Sequence, residues 1–405
     1  MVLACLAPGT IEGLANSIVE GIHFVDYQNR LNQLRKHMQH ASIDLVFVPI
    51  SADLQYFVGI PRGMPNFGLT IHNGRWLEGA FFGHSVGPVI VLPRMTAEFD
   101  LQGLVGGELR VIADQEDPFE VARELLGRFK LGEQPHIALG VTAQAETAVA
   151  LQQLIPDVVF SNASELIRPL RQIKSADDIE VMRRAGAVTE AAFGEVLKHL
   201  KHGMTENDIN AEVDLQLRRH GALGPSFVTT MYNSGPNHYL NLGLANIAKN
   251  EPLLPPVSLL FDFGAAFEGY CYDYGRTVFF GEPDAEMTTV YKTIMASQAA
   301  GIKALRANAV TCQEVDRAAR SVVVQAGYGP NFRHRLGHGI GLDVHEPPFL
   351  IEGDTTTVQA GMAFTIEPSI IVPDRFSARV EDIIIATPNG GEPLTSGFQT
   401  LQVIA

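Results

Sequence analysis

At 405 residues, with 46% hydrophobic and 19% charged side chains, the chain has apolar material for two cores rather than one. A net charge of −15 repels phosphate backbones and anionic lipid, which argues against nucleic-acid and membrane partners. No stretch reaches the roughly 20 apolar residues of a membrane span, and three scattered cysteines (Cys5, Cys271, Cys312) exclude a disulfide framework and fit a reducing cytoplasm.

The opening "MVLACLAPGTIEGLANSIVEGIHF" lacks a basic start and is interrupted by Glu12, so a secretory signal is not expected. From there to about residue 165 helical and strand patterns alternate. "NRLNQLRKHMQHASIDLVFVPI" runs from a helix into an apolar strand at Leu45 to Val48. "PVIVLP", "LRVIA", "HIALG" and "DVVFS" are further short strands, with "PFEVARELLGRF" and "TAQAETAVALQQLI" as helices between them. The pattern predicts an α/β domain with no catalytic constellation of its own, suited to shaping a neighbouring site or a subunit contact. Within it, "GIPRGMPNFGLTIHNGRWLEGAFFGHS" is long, aromatic and glycine-rich, a candidate for reshaping a pocket.

Near "LIRPLRQIKSADDIEVM" the pattern changes. Ser175 with Asp178 is a capping-box start, and Ile179, Met182, Phe193, Val196 and Leu200 fall on helical spacing. A second helix begins at Thr205, with Asp208 three residues on. The same device recurs at Thr311 and Glu314, and Thr205–Gly221 and Thr311–Gly327 have equal length. Each is preceded by another helix and followed by strands, so the second part of the chain reads as a duplicated helix–helix–strands unit. Such halves pack about a pseudo-twofold axis, and a site can form where they meet.

Each half then contributes one hairpin with two acids. In "SLLFDFGAAFEGYCYDYGRTVFFG", Asp262 and Asp273 are symmetric about Phe267–Glu268, which predicts them directly opposite, roughly 5 Å apart. In "MAFTIEPSIIVPDRFSARVEDIIIAT", Glu367 and Glu381 are symmetric about Asp374. Four carboxylates on apolar strands cannot all ionise unless a cation lies among them. Carboxylates suit hard or borderline divalent ions, and one imidazole completes a mixed site. His338 in "HRLGHGIGLDVHEPP", freed by flanking glycines to approach closely, is the fifth candidate ligand. The implied centre holds two metals bridged by a carboxylate and water, as in two-metal hydrolases. Cys271 reads as a small buried hydrophobe, and His334 is left without a role.

With these residues in hand the chain resembles the creatinase, prolidase and methionine aminopeptidase superfamily, which has the pita-bread fold. "DFGAAFEGYCYDYGRT", "GHGIGLDVHE", "TIEPS" and "RVEDIIIAT" carry the resemblance, and "SADLQYFVGI" extends it to a creatinase-type N-terminal domain. It implies an α/β domain over 1–168, then an α+β pita-bread catalytic domain with internal pseudo-twofold duplication over 169–405. It also implies dinuclear ligands at Asp262, Asp273, His338, Glu367 and Glu381, with Asp273 and Glu381 bridging. His238 and His345 would meet the substrate and the developing oxygen, Glu367 would shuttle a proton, and Arg379 would support the site or engage a substrate carboxylate. The intact ligand set argues against the metal-free relatives, creatinase among them.

The activity so implied is hydrolysis of the bond before proline, by an Xaa-Pro dipeptidase or aminopeptidase using a metal-bridging hydroxide. The cofactor would be two divalent ions, manganese first, with iron, cobalt or zinc also suited. A small peptide substrate, a homodimer and a cytoplasmic location complete the expectation. The alternatives are a same-fold enzyme acting on a small non-peptide molecule, such as an ectoine-type hydrolase or a sulfoniopropionate lyase, and a binding protein without activity.

Overall fold

A computed structural model describes residues 25–62, 72–101, 106–236, 238 and 249–405. The N-terminal stretch, Cys5 and residues 63–71 of the glycine-rich segment lie outside the described residues.

The first sheet grows around β1 (Leu45–Pro49), with β2 (Gly79–Gly83), β3 (Val89–Pro93) and β4 (Glu108–Ile112) to one side. On the other side lie β5 (His136–Leu139) and β6 (Val159–Asn162). The β1–β2 and β2–β3 pairs are antiparallel, and the remaining three pairs are parallel. Alternation along β1 sends Leu45 and Phe47 to one face and Val46 and Val48 to the other, so both faces are covered. One face packs Leu31, Leu34 and Met38 of α1 (Tyr27–His40) together with α2 (Ala52–Val58). The opposite face packs α3 (Pro118–Gly127) and α4 (Ala145–Leu154). Strand β2 departs from expectation: part of the glycine-rich segment expected to reshape a pocket is instead a fully buried strand of this sheet.

Residues 168 and 169, where the sequence places the division, lie inside α5 (Ser164–Gln172). Two helix pairs follow: α6 (Ala176–His199) on α7 (Glu206–Arg219), then α8 (Ala285–Ala304) on α9 (Cys312–Gln325). Capping boxes at Ser175–Asp178, Thr205–Asp208 and Thr311–Glu314 satisfy the first-turn amides of α6, α7 and α9, as the sequence predicts.

Each pair backs its own strands. The first half has β7 (Gly224–Pro225), β8 (Thr230–Ser234), β9 (Val257–Phe263), β10 (Ala265–Phe267), β11 (Tyr270–Cys271) and β12 (Tyr274–Phe280). The second has β13 (Gly337–Gly339), β14 (Glu346–Leu350), β15 (Ala363–Ile366), β16 (Ser369–Val372), β17 (Phe376–Arg379), β18 (Asp382–Thr387) and β19 (Gly390–Pro393). A last strand, β20 (Gln402–Ile404), returns to pair in parallel with β12. One core spans α6, α7, β9 and β12 and runs on beneath the first sheet, and a second spans α8, α9, β15 and β17. The halves are stitched where Gly275 and Glu381 exchange backbone hydrogen bonds of 2.9 and 3.3 Å, where the Cys271 amide donates to the Gly341 carbonyl at 2.8 Å, and where Thr277 Oγ1 accepts from the Arg379 amide at 2.9 Å. Cys271 and Cys312 are buried free thiols.

Candidate metal centre

The hairpin registers decide which acids meet. In the second hairpin, β15–β18 and β16–β17 share one register, with Ile366 opposite Asp382 and Ser369 opposite Arg379. Glu367 and Glu381 therefore leave the strands at matching positions, as their symmetry predicts. In the first hairpin the expectation fails by one residue at its centre. The turn is Glu268–Gly269, Phe267 pairs with Tyr270, and Asp262 faces Gly275 rather than Asp273. Asp273 is a diagonal neighbour of Asp262, two residues before Asp262's partner. That parity keeps both carboxylates on one face.

Gly275 is where the geometry is tightest. A Cβ there would lie 2.9 Å from Cβ and Oε2 of Glu381 and 3.1 Å from Cδ of Arg379. Only a residue without a side chain lets both hairpins bring their acids together. Gly337 plays the same part for His338, since a Cβ on it would meet the Thr365 carbonyl oxygen at 1.9 Å. Gly337 thus seats the β13 backbone against β15, and Gly339, where a Cβ would lie 2.5 Å from the Glu346 carbonyl oxygen, seats it against β14. The His338 ring is then held by Nδ1, 3.0 Å from the Gly339 carbonyl oxygen, with Nε2 facing the acids.

His338 Nε2 lies 3.6 Å from Asp273 and 3.4 Å from Glu367. Ligand atoms of Asp273, His338 and Glu381 fall within 4.8 Å of one another, all buried. Arg379 Nη1 donates to Asp262 Oδ2 at 2.5 Å and stands 3.8 and 3.9 Å from Glu367 and Glu381. Thr365 Oγ1 donates to Glu367 Oε1 at 3.1 Å. Asp262, Asp273, Glu367, Glu381, His338 and Arg379 line one cavity of about 860 Å³, and His345 lines it with them. The His345 ring packs against His338 with centroids 4.1 Å apart.

The electrostatics fit a cation site. Burial, and then the Asp262 charge, push the Asp273 carboxyl well above its usual range; burial and then Asp273 do the same to Glu381. Burial raises Glu367 to about 7 against the opposing pull of Arg379. Burial also lowers His338, and lowers His345 to about 4, so both imidazoles are neutral and able to ligate or donate near pH 7. Arg379 is raised: Asp262, Glu367 and Glu381 together outweigh the effect of its burial. Arg379 is the only guanidinium among the described residues within 4 Å of the four carboxylates and does not offset them all, and Asp273 Oδ1 and Glu381 Oε2 are buried without a hydrogen-bond partner among the described residues. Such oxygens, set beside a neutral imidazole, form a donor set for hard or borderline divalent ions.

Arg379 Nη1 is taken by Asp262, which fits support of the site, while its buried Nε has no hydrogen-bond partner among the described residues. One expectation needs revising. His238 does not line the cavity: its Nε2 lies 3.1 and 3.2 Å from the backbone O and N of Leu254. Conversely, His334 belongs to the site. Its Nε2 accepts from Arg379 Nη2 at 3.3 Å and contacts Ser369 Oγ, and burial, then Arg379, lower it to about 3. A lone histidine four residues before a ligand carries no sequence signal that separates these roles. Arg335 was also passed over. It lines the cavity with its guanidinium 5.0 Å above the Phe349 ring, and its buried Nε has no hydrogen-bond partner among the described residues.

Comparison with known proteins bears on both parts of the chain. Residues 180–388 match the family model for metallopeptidase family M24, and residues 30–173 match that for the creatinase/prolidase N-terminal domain. An Xaa-Pro dipeptidase of Lactobacillus delbrueckii subsp. lactis is 30% identical over 380 residues, covering 92% of this chain and 98% of that protein. The crystal structure of a dipeptidase from Pyrococcus horikoshii OT3 superposes with a TM-score of 0.80 at 27% identity, covering 93% of this chain and all of that one. That of an X-Pro aminopeptidase from Thermotoga maritima MSB8 gives 0.78 at 25% identity, over 91% of this chain and all of that one.

Proposed function

The chain belongs to metallopeptidase family M24, and we propose that this member hydrolyses the peptide bond preceding proline, with dipeptides as its preferred substrates. That it is a metal-dependent peptidase comes with the family. The choice of bond rests on one observation, the match along nearly the whole chain to a protein named Xaa-Pro dipeptidase. We assign residues 1–168 to an N-terminal domain and 169–405 to the catalytic domain, acting as a cytoplasmic homodimer.

Asp262, Asp273, His338, Glu367 and Glu381 would hold two divalent ions, manganese first and iron, cobalt or zinc as alternatives. When bound, the ions supply an acidified water and an electrostatic pull on the scissile carbonyl. The side chains do the rest. Thr365 holds Oε1 of Glu367, leaving Oε2 to take a proton and pass it to the leaving nitrogen. Neutral His345 donates to the carbonyl oxygen as charge develops on it. Arg379 holds Asp262 and offsets part of the acid cluster, while His334 accepts from its other nitrogen. His238, turned to Leu254, has no step in this scheme.

The test is chelated protein reloaded with each metal and given a panel of Xaa-Pro dipeptides, Xaa-Pro tripeptides and small cyclic amides. Metal-dependent release of proline from dipeptides is expected. Turnover confined to tripeptides would move the assignment to an aminopeptidase, and turnover confined to non-peptides would overturn it.

Arg335 favours dipeptides. A guanidinium in the cavity wall with no acid partner among the described residues suits a free carboxylate, which a dipeptide places close to the scissile bond. Capping the substrate as its C-terminal amide is expected to lower kcat/KM by about 10- to 100-fold, with Arg335→Met abolishing the difference. Equal rates on acid and amide would refute this role.

A further inference from the structure

His345 sits in the short segment between β13 and β14, and that segment is gripped from the N-terminal side of the chain. Arg171, in α5, donates from Nη2 to Asp343 Oδ2 at 2.9 Å and to Glu346 Oε1. Its Nη1 goes to Asp53 at the start of α2. Lys174 Nζ holds Glu346 Oε2 at 3.0 Å, and Glu346 Oε1 accepts from the Asp343 amide at 3.1 Å. Arg62 adds a contact to Asp343 Oδ1 at 3.1 Å and another to the Leu342 carbonyl. Asp53, Lys174 and Glu346 are 6, 7 and 6% exposed. Four charged groups, Arg171, Asp53, Lys174 and Glu346, are thus buried about a segment that brings Val344 and His345 to the catalytic cavity.

Such a network is poor value as stability, since an apolar cluster of the same volume commonly does as well. What it gives is a fixed position. The fork of Arg171 bridges one acid on the first sheet's helix layer and two acids flanking His345, a geometry that a single ammonium cannot span. Behind His345 lies a second cavity of about 130 Å³, lined by Asp53, Arg171, Asp343, Glu346 and His345 itself. His345 is therefore the wall between two spaces, with room to retreat from the larger one if the grip is released.

We infer that Arg171, oriented by Asp53, is a positioning residue that holds His345 at the reacting carbonyl, so that the N-terminal part of the chain takes part in catalysis within the same subunit. The inference rests on the assignment of His345 to peptide hydrolysis. It predicts that a substitution on α2, outside the catalytic cavity, acts through one histidine.

The variant to make is Asp53→Asn in the full-length, metal-loaded protein; it keeps volume and removes only the anchor's charge. A kcat about tenfold lower is expected with KM little changed, because a misplaced donor costs transition-state rather than substrate binding. In a His345→Ala background, Asp53→Asn is expected to have no further effect on kcat. Arg171→Lys, which keeps charge but not the fork, should fall between wild type and Arg171→Met. Multiplying losses in the double variant would overturn the proposal, as would a lowered Tm with unchanged kcat.

Hydrogen exchange provides a readout independent of turnover. Amides of residues 341–346 are expected to exchange faster in Asp53→Asn, with those of α8 unchanged. If the wild type cleaves no peptide, the functional assignment falls and exchange alone decides: release of this segment supports the clamp, and unchanged protection refutes it.

Discussion

Asp273→Asn is expected to abolish turnover and, in the metal-free protein, to raise stability. The first effect should exceed the ~100-fold that outer-layer partners of a metal typically contribute, because Asp273 belongs to the donor set itself. The second follows from its surroundings: the carboxyl is buried, close to Asp262, and one of its oxygens has no hydrogen-bond partner among the described residues. Its folded-state value is raised far above the ordinary 3.8. A carboxyl raised in this way contributes stability that is complete below the unfolded value and is lost as pH climbs through the folded one. Glu367 loses its share between the ordinary 4.5 and about 7, and Asp273 and Glu381, raised in the same direction by burial, lose theirs as pH climbs above the ordinary carboxylate range.

His345 acts in the opposite sense. His345, lowered to about 4 from 6.5, gives stability that is complete above 6.5 and lost as pH falls towards 4. Comparing variant with wild type removes that common part. The Tm advantage of metal-free Asp273→Asn should therefore widen from pH 5 to pH 9, and it should reverse when divalent metal is added, since the metal stabilises only the protein that binds it. Thermal melts with and without chelator across that range check this. A constant gap between the two proteins, or retained turnover in the variant, would remove Asp273 from the centre.

Arg276→Met is expected to cost about 3–5 kcal/mol, the usual result of leaving one member of a buried ion pair alone. Arg276 is wholly buried and lies 4.0 Å above the Tyr274 ring. Nη1 donates to the carbonyls of Gly275 and Glu381, each at 2.8 Å, and Nη2 donates to Asp382 Oδ1 at 2.7 Å and the Gly397 carbonyl at 2.9 Å. It thus ties together the two backbones that cross at Gly275, beside the acids. Thr395 and Gln298 also donate to Asp382, but neither carries charge. The double change Arg276→Met with Asp382→Asn should recover much of the loss, because no lone carboxylate remains. Urea unfolding measures both; a loss under 1 kcal/mol for the single variant would show that Asp382 is satisfied without its cation.

Much of the site was legible because it depends on local periodicity. Glu367 and Glu381 could be paired from their symmetry about Asp374, since that hairpin keeps one register from end to end. The first hairpin misled by one residue because its turn falls at Glu268–Gly269, both in the left-handed region at φ of 47° and 87°. Two consecutive residues of that kind are a turn signal that outranks midpoint symmetry. β2 is hard to read because its own ends, Gly79 and Gly83, and the nearby Gly74 and Gly87 give a strand the composition of a loop. The grip of Asp53 and Arg171 on His345 was out of reach, as it joins residues more than a hundred positions apart with no periodicity between them.

The Glu268–Gly269 turn has a bearing on how this hairpin tolerates insertions. Successive residues of a strand point to opposite faces, so the parity of the count between Asp262 and Asp273 decides whether the two acids share a face. One extra residue at the tip would send Asp273 to the face away from His338 unless a bulge absorbed it, whereas two would restore the alternation. The length of this hairpin is therefore constrained in steps of two, and the even or odd count of its residues belongs to the specification of the site as much as the acids do.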